Sequence, residues 1–329
     1  MDVAANVSEA PRAALPRWWA RPRSGGLAAL AAVIVLLPLA LANNYFYEVA
    51  ILVALNATVC VGLNLLIGYA GQISLGHAGF FALGGYGSAI LATQYGLSTW
   101  LSLPLACAGV ALLALLIGRP TLRLKGHTLA MATLGLGVII AIVITTEDRL
   151  TGGPDGMSVP ALVLFGWTVA GERTWYWITG AVLLATVWLA FNLIESPRGR
   201  ALRALHGSEV AAQTLGIDSG RAKLQVFVLS ALVAALAGAL MAHYTGFITP
   251  AKASFLHSVE LVIMVVFGGM ASVFGAVVGA AVLTMLPQLL TVLKDYEMMV
   301  FGAVLIATMV FFPLGVVPTL AQWWARRRP

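Results

Sequence analysis

Ten stretches of this chain are apolar over lengths that match a lipid bilayer, and no other feature restricts its fold so severely. A spanning helix needs about 20 largely apolar residues, with a range near 17–25. Runs of this kind cover approximately 25–43, 47–67, 76–93, 98–118, 128–146, 175–194, 224–247, 258–274, 275–293 and 298–317. The first contains Pro38, and the eighth and ninth are divided only at Gly275. Composition points the same way. The 329 residues are 60% hydrophobic and 10% charged, against about 45–50% and about 25% in soluble domains. So few charges could not solvate the surface of two soluble domains of this total length. The expected fold is an all-α polytopic membrane protein of about ten transmembrane helices.

Orientation follows from the basic residues. The net charge is +6, which by itself could suggest nucleic acid. However, fifteen of the nineteen Lys and Arg fall in four clusters at the termini or between apolar runs. One side receives Arg12, Arg17, Arg21 and Arg23, then Arg119, Arg123 and Lys125. It also receives Arg198, Arg200, Arg203, Arg221 and Lys223, and finally Arg326, Arg327 and Arg328. The other side has only Arg149, Arg173, Lys252 and Lys294. Such asymmetry marks cytoplasmic loops, not a nucleic-acid patch. It predicts two cytoplasmic termini: a basic tail over 1–24 and another over 318–329, flanking a transmembrane domain over 25–317. Trp18, Trp19, Trp323 and Trp324 stand beside arginines, as interfacial anchors do in contact with membrane lipid. A signal peptide ending near Ala40-Leu41-Ala42 is the competing reading of the first run; its removal would leave nine spans and the same orientation. Cys60 and Cys107 both lie in apolar runs, so they read as buried packing thiols with no disulfide.

Two connections are too long to be simple turns. The external loop 147–174 carries Thr151-Gly152-Gly153-Pro154-Asp155-Gly156, a turn-forming run. The internal loop 195–223 is polar yet organised. Ser208 can cap a short helix, Glu209 complements its positive end, and Gly216 can stop it after Leu215. Val210, Ala211, Thr214 and Leu215 would give that helix an apolar face; the competing reading is a solvated linker. A third segment, 68–77, is polar and glycine-rich between two apolar runs. Interrupted segments of this sort mark transport sites, and Asn64, Gln72, Ser74, Gly76 and His77 are its candidate pathway residues. The competing reading is a cytoplasmic turn. Most of the remainder of the 34 glycines fit close helix packing.

Several chemistries are missing from the sequence. It has no G-x-x-x-x-G-K-[ST], so it binds no ATP through a P-loop, and no H-E-x-x-H or other metal-ligand spacing. Gly156-Met157-Ser158-Val159-Pro160 only approaches a nucleophile elbow, and Gly135-Leu136-Gly137 lies within an apolar span. The spans hold almost no ionisable groups, which disfavours an intramembrane enzyme and an ion-driven carrier alike. His77, His127 and His243 are the nearest to embedded titratable groups, and each reads first as a packing or interface residue. No catalytic residue, metal or cofactor is expected.

Within this frame, one block is specific. Gly62-Leu63-Asn64-Leu65-Leu66-Ile67-Gly68-Tyr69-Ala70-Gly71-Gln72-Ile73-Ser74-Leu75-Gly76-His77-Ala78-Gly79-Phe80-Phe81-Ala82-Leu83-Gly84-Gly85-Tyr86 resembles the LivH/LivM-type permeases of branched-chain amino acid ABC transporters, most closely the LivM-type members. Leu122 to Gly135, Thr151 to Gly156 and Gly199 to Ala204 support the likeness, which runs from about 45 to 317. The resemblance implies the ABC-importer permease fold in a cell inner membrane. It also implies a homologous LivH-type permease partner, two cytoplasmic ATP-binding subunits and a periplasmic substrate-binding protein. Permeases of this type dock a cytoplasmic helix with an E-A-A-x-x-x-G pattern into the ATPase. Glu209-Val210-Ala211-Ala212-Gln213-Thr214-Leu215-Gly216 resembles it with one residue inserted after the glutamate. The implied coupling residues are Ser208, Glu209, Ala211, Ala212 and Gly216. Urea and short-chain amide permeases resemble the same family and form the alternative within it. A stand-alone channel or secondary carrier is the alternative outside it, and such a protein needs no docking helix.

The charge count makes a direct prediction about sidedness. With cysteines introduced singly at Ser158 and Ser208, an impermeant thiol reagent should label the first in intact spheroplasts and spare the second. The reverse pattern would overturn the orientation.

Overall fold

The computed structural model describes residues 23–40, 43–122, 124, 126–164, 166–289, 299, 302, 303, 306, 312 and 315–326. Nearly all of the 1–24 tail, Arg123, Lys125, Lys294, most of the 298–317 run, Arg327 and Arg328 lie outside the described residues, so those expectations are untested by it.

The described chain is built of helices: α1 (Arg23–Ala40), α2 (Asn44–Asn64), α3 (His77–Thr93), α4 (Thr99–Thr121), α5 (His127–Thr146) and the single turn α6 (Asp148–Thr151) come first. They are followed by α7 (Glu172–Glu195), α8 (Pro197–Gly207), α9 (Glu209–Thr214), α10 (Ser219–Thr245), α11 (Phe255–Gly268), α12 (Val273–Leu289) and α13 (Val316–Arg326). Helices thus occupy nine of the ten predicted runs among the described residues. Five are each long and apolar enough to cross a bilayer alone: α2 with its continuation to Tyr69, α4, α5, α7 and α10. α1, α11 and α12 are shorter apolar helices. At 1.5 Å per residue, the 14 residues of α11 reach only about 21 Å, short of the roughly 30 Å hydrocarbon core.

α2 and α10 form the centre. α10 packs along α3, α4 and α2, while α2 also holds α7, α11 and α12. Lipid tails are as apolar as leucine, so helices in a bilayer associate through close packing rather than water exclusion. The sequence of α10 supplies that closeness with buried Ala231, Ala234, Ala235, Ala237, Gly238, Ala239 and Ala242. A methyl group on Gly238 would lie 1.9 Å from the Phe81 carbonyl oxygen of α3, and one on Gly84 would lie 2.1 Å from the Ala235 oxygen. The two backbones therefore touch. α11 and α12 meet in the same way, with Gly268 against the Gly275 oxygen and Gly279 against the Met264 oxygen.

Two boundaries differ from the sequence expectation. The eighth and ninth runs divide at a corner over 269–272, not at Gly275. Gly269 at φ 122° and Ala271 at φ 61° reverse the chain there, and the Ser272 hydroxyl accepts a hydrogen bond from the Gly275 N–H at 3.0 Å to start α12. Gly275 serves instead as a helix contact. The second difference is that α10 begins at Ser219 instead of 224, capped by Asp218, which accepts from Arg221 N–H at 3.0 Å. Lys223 is consequently helical. In addition, α13 spans 316–326 and so takes in the end of the tenth expected run together with much of the expected 318–329 tail.

The external loop adds a small β component. β1 (Met157–Ser158) pairs antiparallel with β4 (Phe247–Ile248), and β2 (Val163–Leu164) with β3 (Trp167–Thr168). The turn-forming run explains itself: Gly152, Gly153 and Gly156 all have positive φ, and Gly156 lies against the Ile248 backbone. Below it, His243 of α10 is hydrogen-bonded to Ser88 of α3 at 2.8 Å and to the Pro160 oxygen at 2.9 Å. It is a packing histidine.

The α3–α10 contact is tested by Gly238→Ala. No rotamer can relieve a methyl group aimed at a backbone oxygen, so the cost should reach the upper part of the 1–3 kcal/mol typical of overpacking, about 3 kcal/mol. The solubilised protein should melt measurably earlier. Gly109→Ala, in the interior of α4 where nothing lies within 4 Å, should leave the melting temperature at or slightly above that of the unmodified protein.

Candidate functional site

The helix α2 does not end cleanly. Leu65–Tyr69 continues it as a π-helical turn, and residues 70–76 then run without helix to α3. Widened turns of this kind cluster at functional sites. Backbone that leaves the helix in an apolar environment must be met by protein or water. Here the Ala70 and Gln72 N–H groups donate back to the Leu65 and Leu66 oxygens at 3.2 and 3.0 Å, and side chains tie the ends of the segment to its neighbours.

Asn64 is 1% exposed. Its amide donates to the Ser272 oxygen at 2.8 Å and accepts from the Ala271 N–H at 3.0 Å. Tyr69 donates its hydroxyl proton to the Ala271 oxygen at 2.7 Å. These three bonds clamp the α11–α12 corner to the end of α2. Gly68 allows the approach, because a methyl group there would be 2.2 Å from the Ala271 nitrogen.

At the other end, His77 is fully buried. Its Nδ1 is hydrogen-bonded to the Ser74 hydroxyl at 2.9 Å and its Nε2 to the Ser230 hydroxyl of α10 at 2.7 Å. Phe80 and Phe227 meet its ring edge to face. Gly76 lies against α5, where a methyl group would be 2.3 Å from the Thr133 oxygen, and the Leu75 N–H donates to the Thr133 hydroxyl at 3.1 Å. Asn64, Ser74, Gly76 and His77 are thus joined to α5, α10 and the α11–α12 corner.

Gln72 is placed differently. It is 3% exposed, yet neither amide atom has a hydrogen-bond partner. It lines a cavity of about 150 Å³ bounded also by Gly126, Leu129, His206, Glu209 and Lys223.

That cavity joins the segment to the internal loop. The loop is two helices, and the first was not expected. Ser196 accepts from the Gly199 N–H at 3.3 Å and Pro197 takes the first turn of α8, a start signal present in the sequence. α9 matches the expected helix: the Ser208 hydroxyl accepts from the Ala211 N–H at 3.3 Å, and Gly216 takes φ 81° just after the last turn. Ala212 is buried at 2%, whereas Val210 and Leu215 are 69% and 79% exposed. The Lys223 ammonium bonds the Glu209 carboxylate at 2.9 Å. Gln72 and Glu209 therefore share one cavity, while Gly216 stands apart with nothing near its α-carbon hydrogens. Sequence reading did not single out Ser230, Thr133, Ser272, His206 or Lys223, because a partner on a distant helix leaves no local signal.

Removing the Ser230 hydroxyl isolates this role. Ser230→Ala leaves the His77 Nε2 buried without a partner, at a cost of about 1–3 kcal/mol. Earlier thermal inactivation should result, and Ser230→Thr, which keeps a hydroxyl, should recover part of it. Unchanged stability in the alanine variant would remove His77 as a bridge between α3 and α10.

Residues 45–309 match the family described as branched-chain amino acid transport system, permease component. The chain is 32% identical over 295 residues to the high-affinity branched-chain amino acid transport system permease protein LivM of Escherichia coli, covering 82% of this chain and 69% of that protein. It is 25% identical over 266 residues to a probable branched-chain amino acid transport permease protein LivM of Methanocaldococcus jannaschii, covering 70% and 76%. The autoinducer 2 import system permease protein LsrC of Escherichia coli is 28% identical over 225 residues, covering 64% of each chain. No solved structure matches. The family match spans most of the described helices, including the broken 64–77 segment and α9, and the chain belongs to the permease components of branched-chain amino acid transport systems.

Proposed function

We propose that this chain is one of two membrane subunits of an ATP-driven importer and forms part of the pathway for branched-chain amino acids. A homologous permease would pair with it, two cytoplasmic ATP-binding subunits would drive it, and a periplasmic binding protein would deliver the substrate. In this reading about ten spans cross the inner membrane, and both termini are cytoplasmic. The transmembrane domain covers 25–317, with the coupling loop over 195–223, the external loop over 147–174 and basic tails over 1–24 and 318–329.

The observation that carries the proposal is α9. Ser208 caps it, Gly216 stops it, Ala212 seats it, and Val210 and Leu215 point outward at 69% and 79% exposure. A short capped helix with exposed Val210 on it and exposed Leu215 just past its end offers apolar contacts to a partner, and an ATP-binding subunit is the partner that a permease without a P-loop needs. Movement of α9 would tilt the spans behind it and alternate access. The 68–77 segment is the pathway's inner gate. Asn64, Ser74, Gly76 and His77 hold its ends, and Gln72 lies in its middle. Affinity resides mainly in the binding protein, so the pathway can be poor in charge.

The test is Gly216→Pro in the assembled transporter. Proline locks φ near −65°, which a residue at φ 81° cannot adopt, so the stop of α9 is lost while no lipid-facing residue changes. Uptake of leucine should fall at least about tenfold, the weight of about 1.4 kcal/mol in coupling, with basal ATP hydrolysis and subunit assembly retained. Unaltered uptake would remove α9 as the coupling helix. In the unmodified transporter isoleucine and valine should compete with leucine, and competition by urea alone would transfer the substrate to the amide class.

A further inference from the structure

The cavity beneath α9 has two unusual walls. One is Gln72, whose amide can donate two hydrogen bonds and accept two, yet which makes none in its 3% exposed position. The other is the Lys223–Glu209 pair, with the lysine side chain 9% exposed and the glutamate 21% exposed. The volume of about 150 Å³ is room for a helix turn to shift by a side chain's breadth. A methyl group on Gly71 would lie 2.8 Å from the His206 Nδ1 of α8, so α8 bears directly on the backbone beside Gln72. Glu209 opens α9, and Lys223 belongs to α10, which reaches His77 through Ser230 two turns further along the same face.

A buried amide without partners destabilises the state in which it is found. Hydrogen-bonding capacity kept empty beside a cavity, with a charged pair across it, fits a residue whose partners arrive in a second arrangement. We infer that Gln72 and the Lys223–Glu209 pair are the latch that passes movement of α9 to the 70–76 segment. When α9 is driven inward the cavity closes, and the Gln72 amide bonds to the Glu209–Lys223 pair. Because the Lys223 side chain is largely buried and the pair bonds at 2.9 Å, it keeps α9 and α10 joined during the stroke. Gln72 is then a positioning residue that needs no contact with substrate. This inference rests on the docking of α9 to an ATP-binding subunit.

The experiment uses the complete transporter with its binding protein, in its resting state and trapped with vanadate after ATP hydrolysis. Gln72→Met keeps the side-chain length and removes the amide. It should raise the inactivation temperature of the resting state by a few degrees and lower that of the trapped state. Transport per ATP should fall about tenfold, the weight of one buried hydrogen bond. Shifts of the same sign in both states would overturn the latch, since a purely structural or water-filled site moves both alike. Should that variant fail to assemble, the charge exchange still decides. Lys223→Met should uncouple hydrolysis from transport, and Lys223→Glu combined with Glu209→Lys should restore coupling. No recovery in the exchanged protein would also overturn it. Coupling left intact by Lys223→Met would overturn the latch as well, whereas unaltered uptake in Gly216→Pro is the separate outcome that removes the docking of α9.

Discussion

The contact between the backbones of α3 and α10 is the constraint on which the remaining structure depends. In hydrocarbon, burying a leucine gains little, because lipid already surrounds it with equally apolar chains. What remains is dispersion, which is small per atom pair and falls steeply with a gap of half an ångström. Only backbones that touch collect enough of it. Gly238 against Phe81 and Gly84 against Ala235 provide that contact, and the alanine-rich face of α10 continues it. A helix packed so closely moves as a solid shaft. Lys223 near its N-terminal start, Ser230 two turns on and His243 near its far end are therefore parts of one rigid body.

Interhelical hydrogen bonds complete what packing begins, and their size decides what they can do. In membrane proteins such bonds contribute about 0.6 kcal/mol on average, so the three from Asn64 and Tyr69 to residues 271–272 amount to about 2 kcal/mol. That is too little to fold the chain. It is enough to select one arrangement of the α11–α12 corner over another. A short helix such as α11 leaves irregular backbone within reach of the hydrocarbon, and the end of α2 answers this with an asparagine and a tyrosine. The same reasoning covers the bridge from Ser74 through His77 to Ser230. These polar groups specify where the broken segment lies, and the helices around them supply the stability.

This division explains what the sequence disclosed. Apolar length and flanking charge placed nine helices to within several residues, because an apolar run and the polar residues that flank it are local features of the chain. The cap and stop of α9 were legible for the same reason: Ser208 and Gly216 act on neighbours in the chain. The division between α11 and α12 was misplaced because a glycine signals both a turn and a helix contact, and only tertiary structure reveals that Gly275 serves the second purpose. Lys223 was counted as a loop charge, since nothing adjacent to it foretells burial against Glu209. Asn64, Gln72, Ser74, Gly76 and His77 were singled out together as polar or glycine residues in an interrupted span. In the fold four of them are engaged with neighbouring helices, and the fifth carries an unpaired amide.

The placement of charge finally constrains how such a protein can be driven. A carrier powered by an ion gradient needs titratable or ion-binding groups along its spans. Here Arg221–Asp218 is exposed and His257–Glu260 lies in the first turns of α11, while Lys223–Glu209 is the most enclosed of these ion pairs among the described residues. Enclosure makes an ion pair stiff and costly to break by halves, which suits a mechanical joint and not a passing ion. It joins α9 to α10, one of the two central helices. Under the proposed coupling role of α9, a push on that helix would reach α10 through this pair, and the charge-poor spans behind it would need only follow.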